Sequence, residues 1–205
     1  MLTVGADADG VEAAWRSGSL ACPGCAGSLS PWGFARARSL PTSNGLIWVR
    51  PRRSACAACG RTHVLLPLVG LLRRADSAAV IGAGLAGRAA GLGHRRIAAG
   101  LGVAASTVRG WLRRFAARAE WVRAVFTVLT RDLDADPPPI EASGSLFADA
   151  VTAVRAAAAA AGLRWPFVST VSVWEFAGAV TGGRLLSPSS PAVLTNTTRP
   201  WAGHR

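Results

Sequence analysis

The sequence predicts an α+β fold that is mostly helical, with a small antiparallel sheet near the N-terminus and a bundle of helices after it. Three observations predict it. Two C-x-x-C pairs lie among short runs of strand-forming residues in the first third of the 205-residue chain. Apolar residues then recur with helical spacing that is interrupted at Gly102. An alanine-rich stretch continues the helical pattern toward the C-terminus.

Residues 1–20 are predicted to form one short N-terminal helix, with Val11, Ala14 and Trp15 on its apolar side. The start of the chain is acidic and lacks the basic residues and apolar run of a signal peptide. Arginines interrupt the hydrophobic windows before they reach about twenty residues, so no membrane span is predicted. We therefore expect a cytoplasmic protein.

Residues 21–67 contain all four cysteines, Cys22, Cys25, Cys56 and Cys59. Each C-x-x-C spacing lets a tight turn direct two thiolates at one metal ion, and four thiolates complete a tetrahedral structural Zn²⁺ site. Two knuckles on an antiparallel sheet make a zinc ribbon. The alternatives are a pair of disulfides, which are typical of secreted proteins, and a redox-active pair.

The strands of this ribbon are predicted at residues 33–38, 46–53 and 62–66, with a turn at 41–45. His63 in the last strand is expected to face solvent or DNA. Arginines on the ribbon are expected to contact phosphates, whereas the aromatic side chains are expected to fill its thin core. The arginines are Arg36, Arg38, Arg50, Arg52, Arg53 and Arg61, and the aromatic residues are Trp32, Phe34 and Trp48.

Residues 68–131 are predicted to form a helix-turn-helix bundle with an extended C-terminal helix. Within residues 94–114, one apolar stripe ends at Gly102, where glycine tolerates a positive φ, and a second stripe follows. Ala104 stands at the start of the second helix and cannot cap it. The candidate DNA-binding residues on the two helices are Arg95, Arg96, Ser106, Thr107, Arg109, Arg113 and Arg114. An ordinary helical hairpin with solvated arginines is the alternative.

The residues 101–103 (LGV), 106–108 (STV) and 111–112 (WL) resemble the turn of bacterial helix-turn-helix proteins of the transposase and resolvase type. With the four-cysteine segment before it, the stretch 20–119 resembles the N-terminal DNA-binding region of insertion-sequence transposases. It is also similar to small actinobacterial helix-turn-helix proteins. The resemblance implies a second helix in the major groove of double-stranded DNA.

A G-x-G-x-x-G pattern at residues 82–87 is typical of dinucleotide-binding folds. Those folds need a strand before the glycines and an acid about twenty residues later, yet residues 77–118 contain no Asp or Glu. The glycines are therefore interpreted as close packing within a helix. The acids after residue 131 lie in a linker or on predicted helices, which does not suit the sheet-borne acids of a transposase. No catalytic residue is predicted.

The remaining chain is divided into a Pro-rich linker at 132–144, a helical region at 145–186 and a disordered tail at 187–205. In the helical region, a helix is predicted from Ser145 to Leu163, and a second begins at a capping box of Ser172 and Glu175 and runs to about Leu186. The apolar stripe of residues 115–131 could fold back on the bundle or form a homodimer seam.

The net charge of +12 is unevenly placed. Residues 13–119 hold sixteen arginines and one acid, Asp76, whereas the remainder holds seven arginines and ten acids. The basic part therefore predicts a nucleic-acid surface. We expect a non-enzymatic, zinc-containing DNA-binding protein, either a transposase-like module or a transcription regulator. The alternatives are a protein-docking module, or a truncated transposase remnant without its catalytic domain.

Overall fold

The computed structural model describes residues 2–5, 7–42, 44–137 and 141–187. These residues form an α+β protein with two compact units. The first unit comprises residues 2–77 and 178–184, and the second comprises residues 78–177 and 185–187. The predicted tail lies outside the described residues from 188 onward.

The first unit holds one helix and six strands. A four-stranded sheet has the order β1-β6-β5-β2, and β3 and β4 form a separate hairpin. β1 is parallel to β6, and the other pairs are antiparallel. The elements are β1 (Leu2–Val4), α1 (Ala8–Arg16), β2 (Leu29–Phe34), β3 (Arg38–Thr42), β4 (Gly45–Val49), β5 (Arg52–Cys56) and β6 (Thr62–Pro67).

The predicted strand at 46–53 is wrong as a single strand, because it divides into β4 and β5 around Pro51. Proline has no N–H for a sheet ladder, so it favours a break at this point. The strand predicted at 33–38 lies earlier, in β2, which ends in an irregularity between Pro31 and Phe34. Gly33 supplies the positive φ of 89° in this irregular stretch.

The N-terminal helix is part of the first unit. Asp7 caps α1 by accepting from the N–H groups of Asp9 and Gly10. Val11 and Trp15 are buried as predicted, in one core with residues of β1, β2 and β6. The prediction of a single helix over 1–20 missed β1, because a strand of three residues is too short for a periodic pattern to identify it.

The second unit is helical. It contains α2 (Ala78–Ala89), α3 (His94–Leu101), α4 (Ala105–Ala116), α5 (Ala119–Leu133) and α6 (Leu146–Arg164), followed by a 3-10 turn (Pro166–Thr170). The chain then enters α7 (Val173–Val180). α5 and α6 pack along each other, and α2, α3 and α4 pack together.

A three-residue turn joins α3 to α4. Gly102 has the predicted left-handed conformation, with φ 64°, and its N–H donates to the carbonyl of Ala98. Val103 donates to the same carbonyl at 3.1 Å. Ala104 provides no side-chain cap to α4, as predicted. The apolar residues Ile97 of α3 and Val108 of α4 are both buried.

The prediction of one continuous helix from α4 into residues 115–131 is wrong. The chain breaks at Ala117 and Arg118, where Arg118 has φ −121° and ψ 0°. The buried stripe runs through Phe115, Ala119 and Val122 without a change of phase, so periodicity alone shows no boundary. The break is a tertiary effect, since it lets α5 lie along α6.

The C-terminal predictions are confirmed at the helix starts and fail at one end. Ser145 caps α6 by accepting from the N–H of Ala148, and Ser172 and Glu175 form the capping box of α7 with 2.8 and 3.2 Å bonds. α7 ends at Val180 rather than near 186, because Gly182 and Gly183 take positive φ. In the predicted linker, α5 extends to Leu133, and residues 138–140 lie outside the described residues.

Helix α6 is the one described helix that is long and apolar enough to cross a membrane by length and composition. The core helix of a protein that does not span a membrane can pass the same criterion. Most of its apolar side chains are alanines, and one side of the helix is buried in the second unit. The buried residues are Ala150, Val151, Ala153, Val154, Ala157, Ala160 and Ala161.

The glycines of the G-x-G-x-x-G pattern lie inside α2, so they do not form the strand-to-helix turn of a dinucleotide site. Gly82 faces the indole of Trp174, and a Cβ built there would overlap the ring. A Cβ on Gly84 would approach Trp111, Ile97 and Leu101 at 3.5–3.6 Å. The interpretation as close helix packing is therefore confirmed.

We expect Gly82→Ala to destabilise the second unit by more than about 2 kcal/mol, because the added methyl has no room beside Trp174. Gly100→Ala is the matched control, since a Cβ at this helical position meets nothing within 4 Å. The control should be neutral or stabilising by up to about 1 kcal/mol. Thermal unfolding followed by circular dichroism measures the stability of both variants. Partial rescue of Gly82→Ala by a second substitution, Trp174→Leu, would assign the loss of stability to the contact between residues 82 and 174.

Candidate metal centre and nucleic-acid interface

The two C-x-x-C segments fold as matching knuckles. In the first, the carbonyl of Cys22 accepts from the N–H of Ala26 at 2.8 Å, and the N–H of Cys22 donates to Gly27. In the second, Cys56 makes the equivalent bonds with Gly60 and Arg61. The fifth residue of each knuckle has a positive φ, 58° at Ala26 and 68° at Gly60. The same backbone hydrogen bonds therefore hold both cysteine pairs.

The four sulfur atoms form one cluster, in which all lie within 4.8 Å of one another. The Sγ atoms of Cys22 and Cys59 are 3.8 Å apart, and those of Cys25 and Cys56 are 3.4 Å apart. A tetrahedral zinc site with bonds of about 2.3 Å requires sulfur–sulfur distances of about 3.8 Å. These separations exceed the disulfide length of about 2.05 Å, and all four cysteines are free. The donor set fits a tetrathiolate metal site.

Gly27 lies against the cluster. A Cβ there would come within 2.7 Å of the Ala58 side chain and 3.1 Å of the Cys56 sulfur. A larger residue would therefore push the two knuckles apart. Gly27, which follows the first knuckle, therefore contacts the second knuckle directly. This close approach helps to place the four sulfur atoms together.

The thiols of Cys25 and Cys56 have pKa values that are shifted in opposite directions. The backbone N–H of Cys59 is the largest influence on Cys56, whose pKa is lowered to about 6. For Cys25, a backbone hydrogen bond from Gly27 acts to lower the pKa, but side-chain hydrogen bonds with Cys56 and Cys59 raise it to about 12. Metal ions bind thiolates, so the lowered pKa of Cys56 favours the form that acts as a ligand.

His63 is not at a solvent-facing position, so that expectation is wrong. Its side chain is buried, and its Nε2 atom lies 3.3 Å from the sulfur of Cys22. Burial lowers the pKa of His63, which favours the neutral ring. A neutral imidazole with a proton on Nε2 donates to a thiolate and orients it. Sequence alternation could have indicated this placement, because Leu65 is on the same face of β6 and is also buried.

The aromatic side chains expected in the ribbon core are exposed instead. Trp32 is 61% exposed, Phe34 45% and Trp48 78%. The core of this unit is filled by Leu2, Trp15 and other residues contributed by β1 and α1. The sequence prediction placed residues 1–20 outside the sheet unit. The aromatic residues of the sheet were then the apolar side chains left to fill its core, although residues of β1 and α1 fill it.

The six arginines of the first unit that are predicted to contact phosphates fall into two groups. Arg52 pairs with Glu12 at 2.5 Å and lies over the Trp15 ring, and Arg38 donates to the carbonyl of Arg74. These two side chains are therefore held by the fold. By contrast, Arg36, Arg50 and Arg61 are exposed, and Arg53 is partly buried. The expectation of phosphate contacts best suits the three exposed arginines.

In the second unit, α4 presents a basic face. Ser106, Arg109 and Arg113 follow each other at spacings of three and four residues and are exposed. The opposite side of the helix carries Val108, Trp111 and Phe115, all of which are buried. Around this face, Arg95, Arg96 and Arg114 are exposed and Thr107 is partly buried. The geometry therefore places the predicted residues where a large anion could reach them.

The chain matches no protein-family model, and no curated protein or solved structure matches it either.

We expect the purified chain to carry one zinc ion, measured by elemental analysis, and to lose the structure of its first unit when a chelator removes the metal. The reason is that the sulfur cluster joins the core to both knuckles. Cys56→Ser should abolish stoichiometric zinc, and zinc added back to the stripped wild-type chain should restore its circular dichroism. Two disulfides in the chain purified under reducing conditions, or folding indifferent to zinc, would contradict the metal site.

We expect His63→Phe to weaken zinc affinity by about 10- to 100-fold, because it fills the ring's volume without supplying a donor to Cys22. Competition with a chromophoric chelator measures the affinity. His63→Gln keeps an N–H donor and should lose less. Equal affinity in His63→Phe and the wild-type chain would show that the contact between Nε2 and Sγ does not support the metal.

Proposed function

We propose that this chain is a non-enzymatic, zinc-containing protein that binds double-stranded DNA through a helix-turn-helix formed by α3 and α4. The observation that carries the proposal is the division of α4 into a buried apolar side and an exposed side with Ser106, Arg109 and Arg113. In helix-turn-helix proteins, the second helix enters the major groove while the first braces it. α4 takes the reading role and α3 the bracing role.

The turn supports this assignment. Gly102 redirects the chain between α3 and α4, which pack against each other, and Ala98 and Val108 are buried in these two helices. Ala104 leaves the start of α4 without a side-chain acceptor, and a DNA phosphate would supply one, since helix N-termini attract anions. Arg95 and Arg96 are exposed at the start of α3, where they suit the adjacent backbone phosphates.

Electrostatics supports the same partner. Residues 77–118 contain seven arginines and no carboxylate, so the charge of this region is not neutralised by its own sequence. A cation-rich surface without internal acids attracts a polyanion and releases its counterions. Arg109 and Arg113 have side chains long enough to reach guanine edges or phosphates, and arginine pairs with guanine in a bidentate manner.

The metal has a structural role in this proposal. Four cysteine ligands close a zinc coordination shell and leave no open position for a substrate or water. Zn²⁺ would therefore stabilise the first unit and neutralise its thiolates. The order of a four-cysteine ribbon and then a helix-turn-helix supports the resemblance to the DNA-binding region of insertion-sequence transposases. We propose a role as such a module or as a transcription regulator.

Replacing both arginines, in Arg109→Ala/Arg113→Ala, tests the reading role. On a duplex selected from a random pool, we expect each lost base contact to cost about 1–3 kcal/mol of binding free energy. The salt dependence of binding should also become shallower if a phosphate contact is lost. Fluorescence anisotropy against sodium chloride concentration measures both quantities.

The matched control is Arg155→Ala/Arg164→Ala, which removes the same charge from exposed positions on α6. It should retain nearly all of the affinity. No duplex binding by the wild-type chain at low salt, or equal losses in the two double variants, would contradict the proposal. A loss that is the same on every sequence would assign Arg109 and Arg113 to phosphates rather than bases.

A further inference from the structure

The first unit exposes several large apolar side chains that lie outside its core. Trp32 and Phe34 belong to β2, whereas Leu46 and Trp48 belong to β4. Their exposed fractions range from 45% at Phe34 to 78% at Trp48. The contact between Arg50 and the Phe34 ring joins the two segments that carry these side chains, and exposed apolar patches are typical of binding sites. We call Trp32, Phe34, Leu46, Trp48 and Arg50 the β2–β4 surface.

Strand alternation places part of this surface on one side of β4. Leu46, Trp48 and Arg50 are exposed at every second residue, and Ile47 and Val49 between them are half-buried. The cross-strand partner of Trp48 is Ser39, which is too small to cover an indole. Trp48 accordingly keeps 78% of its surface exposed.

Arg50 connects β4 to β2. Its guanidinium carbon lies 4.5 Å from the centroid of the Phe34 ring, and Ala35 donates to the carbonyl of Pro51 at 2.7 Å. The Arg52 guanidinium lies 4.3 Å from the same ring. Phe34 thus contacts two guanidinium groups, and this contact keeps the exposed Arg50, which directly follows β4, beside β2, the strand that carries Trp32.

The charge around this surface selects the partner. Residues 17–75 contain eight arginines and no carboxylate, and Arg36 and Arg50 are exposed beside the aromatic side chains. An apolar protein surface would leave these charges without a counterpart. A nucleic-acid strand offers one phosphate for each base, and its bases stack on indole rings and guanidinium planes.

We propose that the β2–β4 surface binds single-stranded nucleic acid, with unpaired bases stacked on Trp48 and Trp32 and phosphates held by Arg36 and Arg50. In a duplex, the faces of the bases are covered by their neighbours in the stack, so the exposed indoles require unpaired bases. This site is separate from the helix-turn-helix proposal, because every residue in it belongs to the first unit.

The decisive experiment compares three 15-nucleotide probes of equal length and charge with the full zinc-loaded chain: oligo-dT, oligo-U and an abasic strand. We expect the wild-type chain to bind oligo-dT more tightly than the abasic strand, because only the former has bases to stack. Trp48→Ala should weaken oligo-dT binding by about 5- to 150-fold and leave abasic binding unchanged. The same loss on oligo-U would assign RNA to the site as well as DNA.

Leu163→Ala is the matched control, since Leu163 is 84% exposed and belongs to α6 in the second unit. It should bind oligo-dT as the wild-type chain does. Trp48→Phe keeps an aromatic face and should retain part of the affinity, whereas Trp48→Leu keeps only the apolar character and should lose as much as Trp48→Ala. Circular dichroism and zinc content are expected to be unchanged in all four variants, because the side chains are exposed.

Three results would overturn the proposal: equal wild-type affinity for oligo-dT and the abasic strand, full affinity in Trp48→Ala, or a dimer in sedimentation that Trp48→Ala dissociates. The last result would assign the surface to a second copy of the chain. Failure here is distinguishable from failure of duplex binding, because Arg109→Ala/Arg113→Ala should preserve the preference for bases over the abasic strand. Trp48→Ala should in turn preserve the preferred duplex sequence.

Discussion

The sulfur cluster is the constraint on which the first unit depends. Cys22 and Cys56 are part of the buried core, whereas Cys25 and Cys59 are exposed at its edge. Four thiolates within 4.8 Å of one another repel each other unless a cation or protons neutralise them. Backbone N–H groups, led by that of Cys59, lower the pKa of Cys56, and side-chain hydrogen bonds with Cys56 and Cys59 raise the pKa of Cys25 against a lowering bond from Gly27. A bound divalent cation relieves the repulsion and joins the two knuckles.

The scarcity of carboxylates among the arginines of residues 13–119 is the second constraint. Among the described residues, two ion pairs are present, Arg52 with Glu12 and Arg123 with Glu120. Within residues 13–119 there is one carboxylate, on Asp76, for sixteen arginines. The fold therefore compensates few of these charges, and an external anion is the natural counterion. This reasoning applies to both units, although they present different surfaces: a helix face in one and an aromatic sheet surface in the other.

Sequence reasoning was most successful where local chemistry decides the structure. The positive φ of Gly102, the capping box at Ser172 and the convergence of the cysteine pairs each follow from residue type and spacing. Sequence reasoning failed where contacts between residues distant in the sequence decide the structure. The break at Arg118 leaves the apolar period intact, and the exposure of Trp48 depends on β1 and α1 filling the core. No local pattern carries that information.

In the proposed DNA complex, the exposed face of α4 limits how much of the DNA sequence the chain can read. A Cβ on Gly110 would meet the Nη1 atom of Arg114 at 2.9 Å, so the Arg114 side chain lies over this glycine. Three guanidinium groups, from Arg109, Arg113 and Arg114, therefore share a short helix, with Ser106 as the one exposed hydroxyl among the candidate residues. Such a face favours guanines and phosphates and offers no amide to recognise adenine. Specificity beyond guanine contacts must therefore come from DNA shape, a second copy of the chain or the first unit.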